Sequence, residues 1–119
     1  MAIKQVKDVS NIPSKELDDW GPVELPISEQ ISTLRGLVVN EHEDGSEAGI
    51  WECSPGIWTR QVMDAEISSF VAGHALFHPD GGDTIEIKAG DSVYFDENSK
   101  GTWEVLETTR KVYLTFKRE

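Results

Sequence analysis

From Leu34 onwards, short apolar runs rich in β-branched and aromatic residues alternate with clusters of turn-forming residues. The runs recur roughly every 8 to 12 residues, a spacing typical of antiparallel sandwiches and barrels. The connections between them are too short for the crossover helices that parallel strands require. We therefore predict an all-β domain over residues 34–119.

The last of these runs alternates apolar and polar side chains, which indicates a strand with one buried and one solvent-facing side. Val112, Leu114 and Phe116 are expected on the buried side, opposite Tyr113 and Thr115. Because the period of a strand is two residues, a shift of one position would exchange the two sets.

Residues 1–33 follow a different pattern, because prolines interrupt every stretch long enough for a regular element. Ser14 is expected to cap a short helix that runs to Trp20. Apolar residues are scattered through the segment, and an arm of this kind commonly packs across a domain or a partner subunit. The predicted organisation is an N-terminal arm over residues 1–33 followed by a barrel over residues 34–119.

Composition limits the partners of the chain. Its 119 residues suffice for one domain and carry 11 Lys and Arg against 22 Asp and Glu, a net charge of −11. That excess of negative charge argues against nucleic acid or an anionic membrane as a partner. No apolar run reaches the roughly 20 residues of a membrane helix, and the first residues lack the apolar core of a signal peptide. A cytoplasmic location is the resulting expectation.

Two local features of the composition stand apart. One basic spot lies near the end of the chain, made of Arg110, Lys111, Lys117 and Arg118. Cys53 is the only cysteine, which excludes an internal disulfide and fits a reducing compartment. We expect Cys53 to be a small buried side chain without a catalytic role.

Three stretches carry a resemblance to a known family. Residues 49–73 begin and end with a glycine and hold Glu66 between them, which resembles the first motif of the cupin superfamily. That motif places two histidines and a glutamate on a strand pair between two glycines. The stretch from Gly90 to Phe95 resembles the start of the second cupin motif, although residues 96–98 replace its Pro-x-Gly.

The third stretch, residues 101–113, resembles one subgroup of the cupin superfamily. Trp103 and Val105 follow a glycine-containing turn, and Arg110, Lys111 and Tyr113 come later in the chain. This order is similar to that of small single-domain cupins related to (S)-ureidoglycine aminohydrolase. The resemblance implies an RmlC-like jelly-roll β-barrel, commonly a homodimer.

A cupin metal site needs about three or four converging nitrogen or oxygen ligands. The resemblance places Glu66 at a ligand position, but Arg60 and Val62 stand where the earlier ligands belong. Gly101 falls about where the last histidine belongs. We therefore predict no cofactor. The alternative is a divalent metal held by Glu66 together with ligands that the resemblance does not identify.

His74, His78 and Asp80 form a second, weaker candidate for a divalent metal site, because the two histidines fall on the same side of an extended strand. Beyond these three residues, no further ligand or supporting group lies within sequence reach. We expect these residues to flank an exposed turn and to be solvated.

The candidate ligand-binding residues lie in or near the two motifs. If Arg60 and Glu66 both point into the barrel, they replace the metal by a charged pair. Arginine offers a fork of donors to a carboxylate, and a buried glutamate can accept an ammonium or act as a base. Trp58 and Trp103 are candidate walls of the same pocket, although large aromatics also fill small barrels. Tyr113 is a candidate hydroxyl donor, if its side chain points inward.

We favour a metal-free cupin that binds a small amine- or carboxylate-bearing metabolite in its barrel. One alternative is a metal-dependent enzyme, similar to an aminohydrolase or isomerase, that acts on a small nitrogen-containing metabolite. A further alternative is a structural or assembly protein whose barrel is filled by its own side chains. The sequence leaves open whether the chain is an enzyme.

Overall fold

The computed structural model describes residues 2–117. Two short 3-10 helices lie near the start, and the other regular elements are strands. The helices are Val9–Asn11 and Ser14–Glu16, and the strands are β1 (Asp18–Pro22), β2 (Thr33–Glu41), β3 (Glu47–Cys53), β4 (Gly56–Val62), β5 (Ala65–Pro79), β6 (Ile85–Lys88), β7 (Ser92–Phe95) and β8 (Ser99–Phe116). None of the helices in this part of the chain is long and apolar enough to cross a membrane. The predicted all-β class is confirmed.

Two long strands, β5 and β8, hold the barrel together because each contributes to both of its sheets. The first half of β5 pairs with the second half of β8, in a sheet that continues through β3, β2 and β1 and has β7 on its other side. The second half of β5 pairs with the first half of β8, and β6 and β4 complete this second sheet. Side chains between the sheets form the core, which includes Phe70, Phe77, Phe95, Trp103 and Val105. This is the predicted jelly-roll arrangement.

The structure explains the two glycines that bound the first motif. Gly49 is needed because a side chain packs closely against it, and Gly73 because of its backbone conformation. A Cβ atom on Gly49 would lie 2.6 Å from the Tyr113 hydroxyl, so a larger residue would collide with this tyrosine. Gly73 has a φ of +101° and lies where the pairing of β5 with β8 is irregular. The irregularity changes the inward-facing set on β5 from even-numbered residues before it to odd-numbered residues after it.

The arm differs from its prediction. The helix expected from Ser14 to Trp20 is a single 3-10 turn that ends at Glu16, and Trp20 lies in β1 instead. β1 pairs with β2, and Pro26 forms an isolated bridge to Trp58 in β4. Pairing with a barrel edge satisfies backbone groups that a short isolated helix would leave unpaired. The arm therefore packs on the barrel of its own chain, while the division of the chain into arm and barrel stays a prediction.

The predicted faces of the last run are reversed. Tyr113 is buried and points inward, whereas Val112 and Leu114 are 40% and 41% exposed on the outer face. The reversal is explained by Lys111, whose buried side chain is paired inside the barrel with Glu66. Apolar alternation alone assigns the wrong face when an ion pair occupies the interior.

The prediction of a basic spot near the end of the chain is also wrong. Arg110 and Lys111 are both buried, and as neighbours in β8 they point to opposite faces of the sheet. Arg110 pairs with Glu52 at 2.5 Å beneath the arm, and Lys111 points into the barrel. Lys117 is exposed, and Arg118 lies outside the described residues.

Candidate functional site

The barrel contains a cavity of about 880 Å³ that is open to solvent on one side, and this volume is typical of small-molecule sites. Residues from β2, β3, β4, β5 and β8 line it, and residues 20–25 of the arm close one side. Its wall contains four tryptophans, namely Trp20, Trp51, Trp58 and Trp103. Much of the cavity wall is therefore aromatic.

Three charged side chains meet at the wall of this cavity. Glu66, on β5, accepts a hydrogen bond from Lys111 Nζ at 2.5 Å and one from Arg60 Nη2 at 3.3 Å. Ser68 also donates to Glu66, and Arg60 Nη1 donates to Ser99 at 3.0 Å. The three charged side chains are at least nine-tenths buried. Because two basic side chains share one carboxylate, the group carries one net positive formal charge.

Strand alternation explains why these residues meet. Glu66 and Ser68 are two residues apart in β5 and therefore face the same side. Arg60 follows Trp58 by two residues in β4, and Lys111 precedes Tyr113 by two residues in β8. Three separate strands thus present one inward charge each to the same point.

The two cations also lie against aromatic rings. Lys111 Nζ is 4.4 Å from the ring centroid of Trp51, and Arg60 Cζ is 4.1 Å from that of Phe95. Attraction between a cation and a ring face partly replaces the hydration that a buried charge loses. The aromatic residues therefore stabilise the charges in addition to filling space.

Burial and pairing act on the pKa values of this group in opposite directions. Burial acts to raise the pKa of Glu66, but the charge and hydrogen bond of Lys111, with smaller effects from Ser68 and Arg60, hold it below its usual range. Burial lowers the pKa values of Lys111 and Arg60, and the Glu66 charge offsets this only in part. Glu66 is therefore a carboxylate at neutral pH rather than a proton donor.

A second polar pair lies two residues further along β8. The Tyr113 hydroxyl donates a hydrogen bond to Glu47 Oε2 at 2.5 Å, and both residues line the cavity. Burial, this hydrogen bond and the nearby carboxylates raise the pKa of Tyr113. The hydroxyl therefore stays protonated at neutral pH, and Glu47 adds a carboxylate to the cavity wall.

The five predicted ligand-binding residues all line this one cavity, namely Arg60, Glu66, Trp58, Trp103 and Tyr113. Arg60 and Glu66 are in direct contact, as the hypothesis of a charged pair requires. Trp103 is fully buried and belongs to the hydrophobic core as well. The part that these residues play in binding stays a prediction.

Lys111, Glu47 and Trp51 also line the cavity but are not among the predicted ligand-binding residues. A signal for Lys111 was present in the spacing. A strand that turns Tyr113 inward also turns inward the residue two positions before it. Glu47 lies outside the motif that begins at Gly49, and nothing in its local sequence indicates that it reaches Tyr113.

The residues at the predicted metal position do not fit a metal. Lys111 and Arg60 already contact both oxygens of Glu66, where a metal ion would bind. The Phe77 ring covers Gly101, since it would lie 2.6 Å from a Cβ atom there. Within residues 2–117, no group of three or more His, Cys, Asp or Glu side chains could hold a metal ion.

The histidines of the second candidate site have separate partners. His74 Nε2 lies 2.8 Å from Glu86, and His78 Nε2 lies 3.0 Å from Glu104. Both rings are only partly exposed, so the expectation that they are simply solvated is wrong. Asp80 is exposed at the turn after β5.

Solved structures with a similar fold share little sequence with this chain. A Pseudomonas syringae pv. tomato protein of unknown function has a TM-score of 0.75 and 19% identity, with 84% of this chain but only 44% of that protein covered. The EutQ protein of Clostridium difficile has a TM-score of 0.64 and 16% identity, covering 80% of this chain and 81% of that one. The putative ethanolamine utilization protein Q of Salmonella typhimurium LT2 has a TM-score of 0.61 and 20% identity, covering 76% and 72%. Likeness at this level of identity shows the fold alone.

No curated protein matches the sequence significantly. The family model described as the EutQ-like cupin domain matches residues 40–113, which is more than half of the chain. The matched range runs from the end of β2 into β8 and includes Arg60, Glu66 and Lys111. The chain therefore belongs to the EutQ-like cupin domain family.

Proposed function

We propose that the chain is a metal-free cupin that binds a small carboxylate-bearing metabolite inside its barrel. The observation that carries this proposal is the net positive charge of Arg60, Lys111 and Glu66 at the wall of an aromatic cavity. A ligand carboxylate would supply the missing negative charge. Arg60 uses two of its five N–H groups for Ser99 and Glu66, and the remaining ones can donate to a ligand carboxylate.

The burial of these charges supports binding over a purely structural role. Desolvation opposes the attraction within a buried ion pair, so such pairs contribute little net stability. A positive charge left over in the same place is less favourable still, and an anionic ligand would neutralise it. The cavity of about 880 Å³ has room for a metabolite of this kind.

The two alternatives have less support. A metal-dependent enzyme related to ureidoglycine aminohydrolase needs a ligand set that residues 2–117 do not assemble. A structural protein with a filled barrel is at odds with the cavity volume. Metal analysis of the purified protein tests the first alternative. Stoichiometric Mn, Fe, Ni or Zn that is lost in Glu66→Gln would contradict the metal-free proposal.

Matched ligand pairs test carboxylate binding. We expect short-chain and aromatic carboxylates to raise the thermal unfolding temperature and to give a measurable Kd by isothermal titration calorimetry. The corresponding amides have the same shape without the charge, and we expect no binding from them. If the amides bind as tightly as the carboxylates, the proposal is wrong.

Two arginine variants locate the carboxylate. Arg60→Lys keeps the charge but loses the fork of donors, so we expect about tenfold weaker binding of carboxylates. Arg35→Met removes an arginine from β2 that does not line the cavity, and its affinity is expected to equal that of the wild type. Equal affinities of Arg60→Lys and the wild type would exclude Arg60 as the carboxylate-binding residue.

A further inference from the structure

The cavity wall carries a second charged group, opposite in sign to the positive group of Arg60, Lys111 and Glu66. These two groups are called the poles of the cavity below. Glu47, at the start of β3, lines the cavity and accepts the hydrogen bond from Tyr113. Within the described residues 2–117, no lysine or arginine forms a salt bridge with Glu47. Its carboxylate therefore accepts a hydrogen bond from a neutral hydroxyl and keeps its negative charge.

The two poles are separated along β8. Lys111 and Tyr113 both face the interior and are two residues apart, which corresponds to about 7 Å along an extended strand. Lys111 belongs to the positive group with Arg60 and Glu66, and Tyr113 contacts Glu47. The strand positions that contact the positive group and the Glu47 carboxylate therefore lie several ångströms apart on the wall of one cavity.

We propose that the ligand is a zwitterion whose ammonium and carboxylate are separated by several atoms, as in an ω-amino acid, with the carboxylate at Arg60 and the ammonium at Glu47. This inference rests on the proposed function, because it takes for granted that a carboxylate binds at Arg60. An α-amino acid carries both charges on one carbon and cannot span the two poles. A ligand with separated charges satisfies both.

The surroundings of Glu47 favour an ammonium over a neutral group. A hydrogen bond between two charged groups is stronger than one between neutral groups, and a partly buried cavity screens it less than bulk water does. The aromatic wall offers ring faces to a cation, as Trp51 already does to Lys111. Glu47 is thus a specificity-determining residue that recognises the amine end of the ligand.

Isothermal titration calorimetry with chain-matched ligands tests this assignment. We expect the wild type to bind 4-aminobutyrate and 5-aminovalerate at least about tenfold more tightly than butyrate and valerate, as one charge-assisted contact would give. 2-Aminobutyrate has the same atoms as 4-aminobutyrate but adjacent charges, and is expected to bind no better than butyrate.

Variants of Glu47 test whether this residue binds the ammonium group of the ligand. Glu47→Gln keeps an acceptor for Tyr113 and removes the charge, so it is expected to abolish the tenfold gain of 4-aminobutyrate over butyrate. Glu47→Asp keeps the charge one methylene further back, and is expected to shift the preference from 4-aminobutyrate towards 5-aminovalerate. Glu43→Gln removes an exposed carboxylate that does not line the cavity and serves as the control, with wild-type affinities expected. Circular dichroism and thermal unfolding verify the fold of each variant.

The outcomes separate this inference from the proposed function. Equal affinities of the wild type for butyrate and 4-aminobutyrate would overturn the inference and leave carboxylate binding intact. A gain that survives in Glu47→Gln would place the ammonium elsewhere and also overturn it. Failure of every carboxylate to bind would overturn the proposed function, and the inference with it.

Discussion

Lys111 is a buried charge whose principal partner is Glu66, at 2.5 Å. Lys111→Met removes this charge and leaves the buried Glu66 with the longer contact to Arg60. Removing one partner of a buried ion pair commonly costs about 3 to 5 kcal/mol, and the lower end of that range applies here because Arg60 still contacts Glu66. We expect the free energy of unfolding, measured by urea denaturation, to fall by about 3 kcal/mol.

Lys88→Met is the matched control for this change. Lys88 is exposed, and its nitrogen lies 3.9 Å from Glu86. Exposed ion pairs of this kind contribute at most about 1 kcal/mol, so the control is expected to unfold close to the wild type. A Lys111→Met variant as stable as Lys88→Met would contradict the buried pair.

Cys53 is fully buried, as expected from its sequence. Burial raises the pKa of its thiol to about 11, and the neighbouring Ser32 and Trp58 side chains offset this only in part. Only the thiolate reacts readily with alkylating reagents. We expect iodoacetamide at pH 8 to label the urea-unfolded protein rapidly and the native protein far more slowly. Rapid stoichiometric labelling of the native protein would contradict this burial.

The sequence identifies some site residues better than others. Arg60 and Glu66 could be predicted because the cupin resemblance indicates which positions face the interior. The only signal for Lys111 is its two-residue spacing from Tyr113 in β8, since a lysine beside apolar strand residues is usually exposed. Its inward position depends on Glu66, which is 45 residues away in the chain. No local pattern identifies Glu66 as the partner of Lys111.

Some features of the strands also depend on distant pairing partners and cannot be predicted from local sequence. The apolar runs after Leu34 predict the strands of the barrel, but β1 contains Gly21 and Pro22, which are poor strand formers. Its conformation comes from pairing with β2. The irregularity at Gly73 exchanges the faces of β5, and it depends on the pairing with β8 rather than on local alternation.

Two polar contacts help to attach the 3-10 helices of the arm to the barrel beneath them. Arg110 Nη1 donates to the Val9 carbonyl at 2.9 Å, and Ser14 Oγ donates to Glu52 at 3.0 Å. Segments with few buried contacts open without global unfolding. Ser14→Ala removes a hydrogen bond to a charged group, worth about 1 kcal/mol or more, so we expect trypsin to cleave after Lys15 about fivefold faster.

Ser10→Ala provides the control for this cleavage experiment. Ser10 is exposed in the same arm, and its replacement is expected to leave the cleavage rate after Lys15 unchanged. If Ser14→Ala is cleaved no faster than Ser10→Ala, the contact between Ser14 and Glu52 does not hold the arm in place.

At the scale of the whole molecule, the outer face of the larger sheet carries a contiguous apolar surface. Ile67 lies opposite Leu114 on one side and Tyr94 on the other, and Val112 follows on the same side of β8. These four side chains are 40% to 50% exposed. Contiguous apolar patches on a protein surface commonly mark interfaces. The homodimer expected from the cupin resemblance would bury this apolar face of the larger sheet.

We therefore expect light scattering to give a mass twice the 13.3 kDa of the chain. Leu114→Lys places a charge within the apolar face, and two-fold symmetry would bring that change into the interface twice, so this variant is expected to be monomeric. Ile85→Lys is the control, because Ile85 is 37% exposed on β6, away from this face, and its variant is expected to stay dimeric. A monomeric wild type, or a dimeric Leu114→Lys, would show that this face is not the dimer interface.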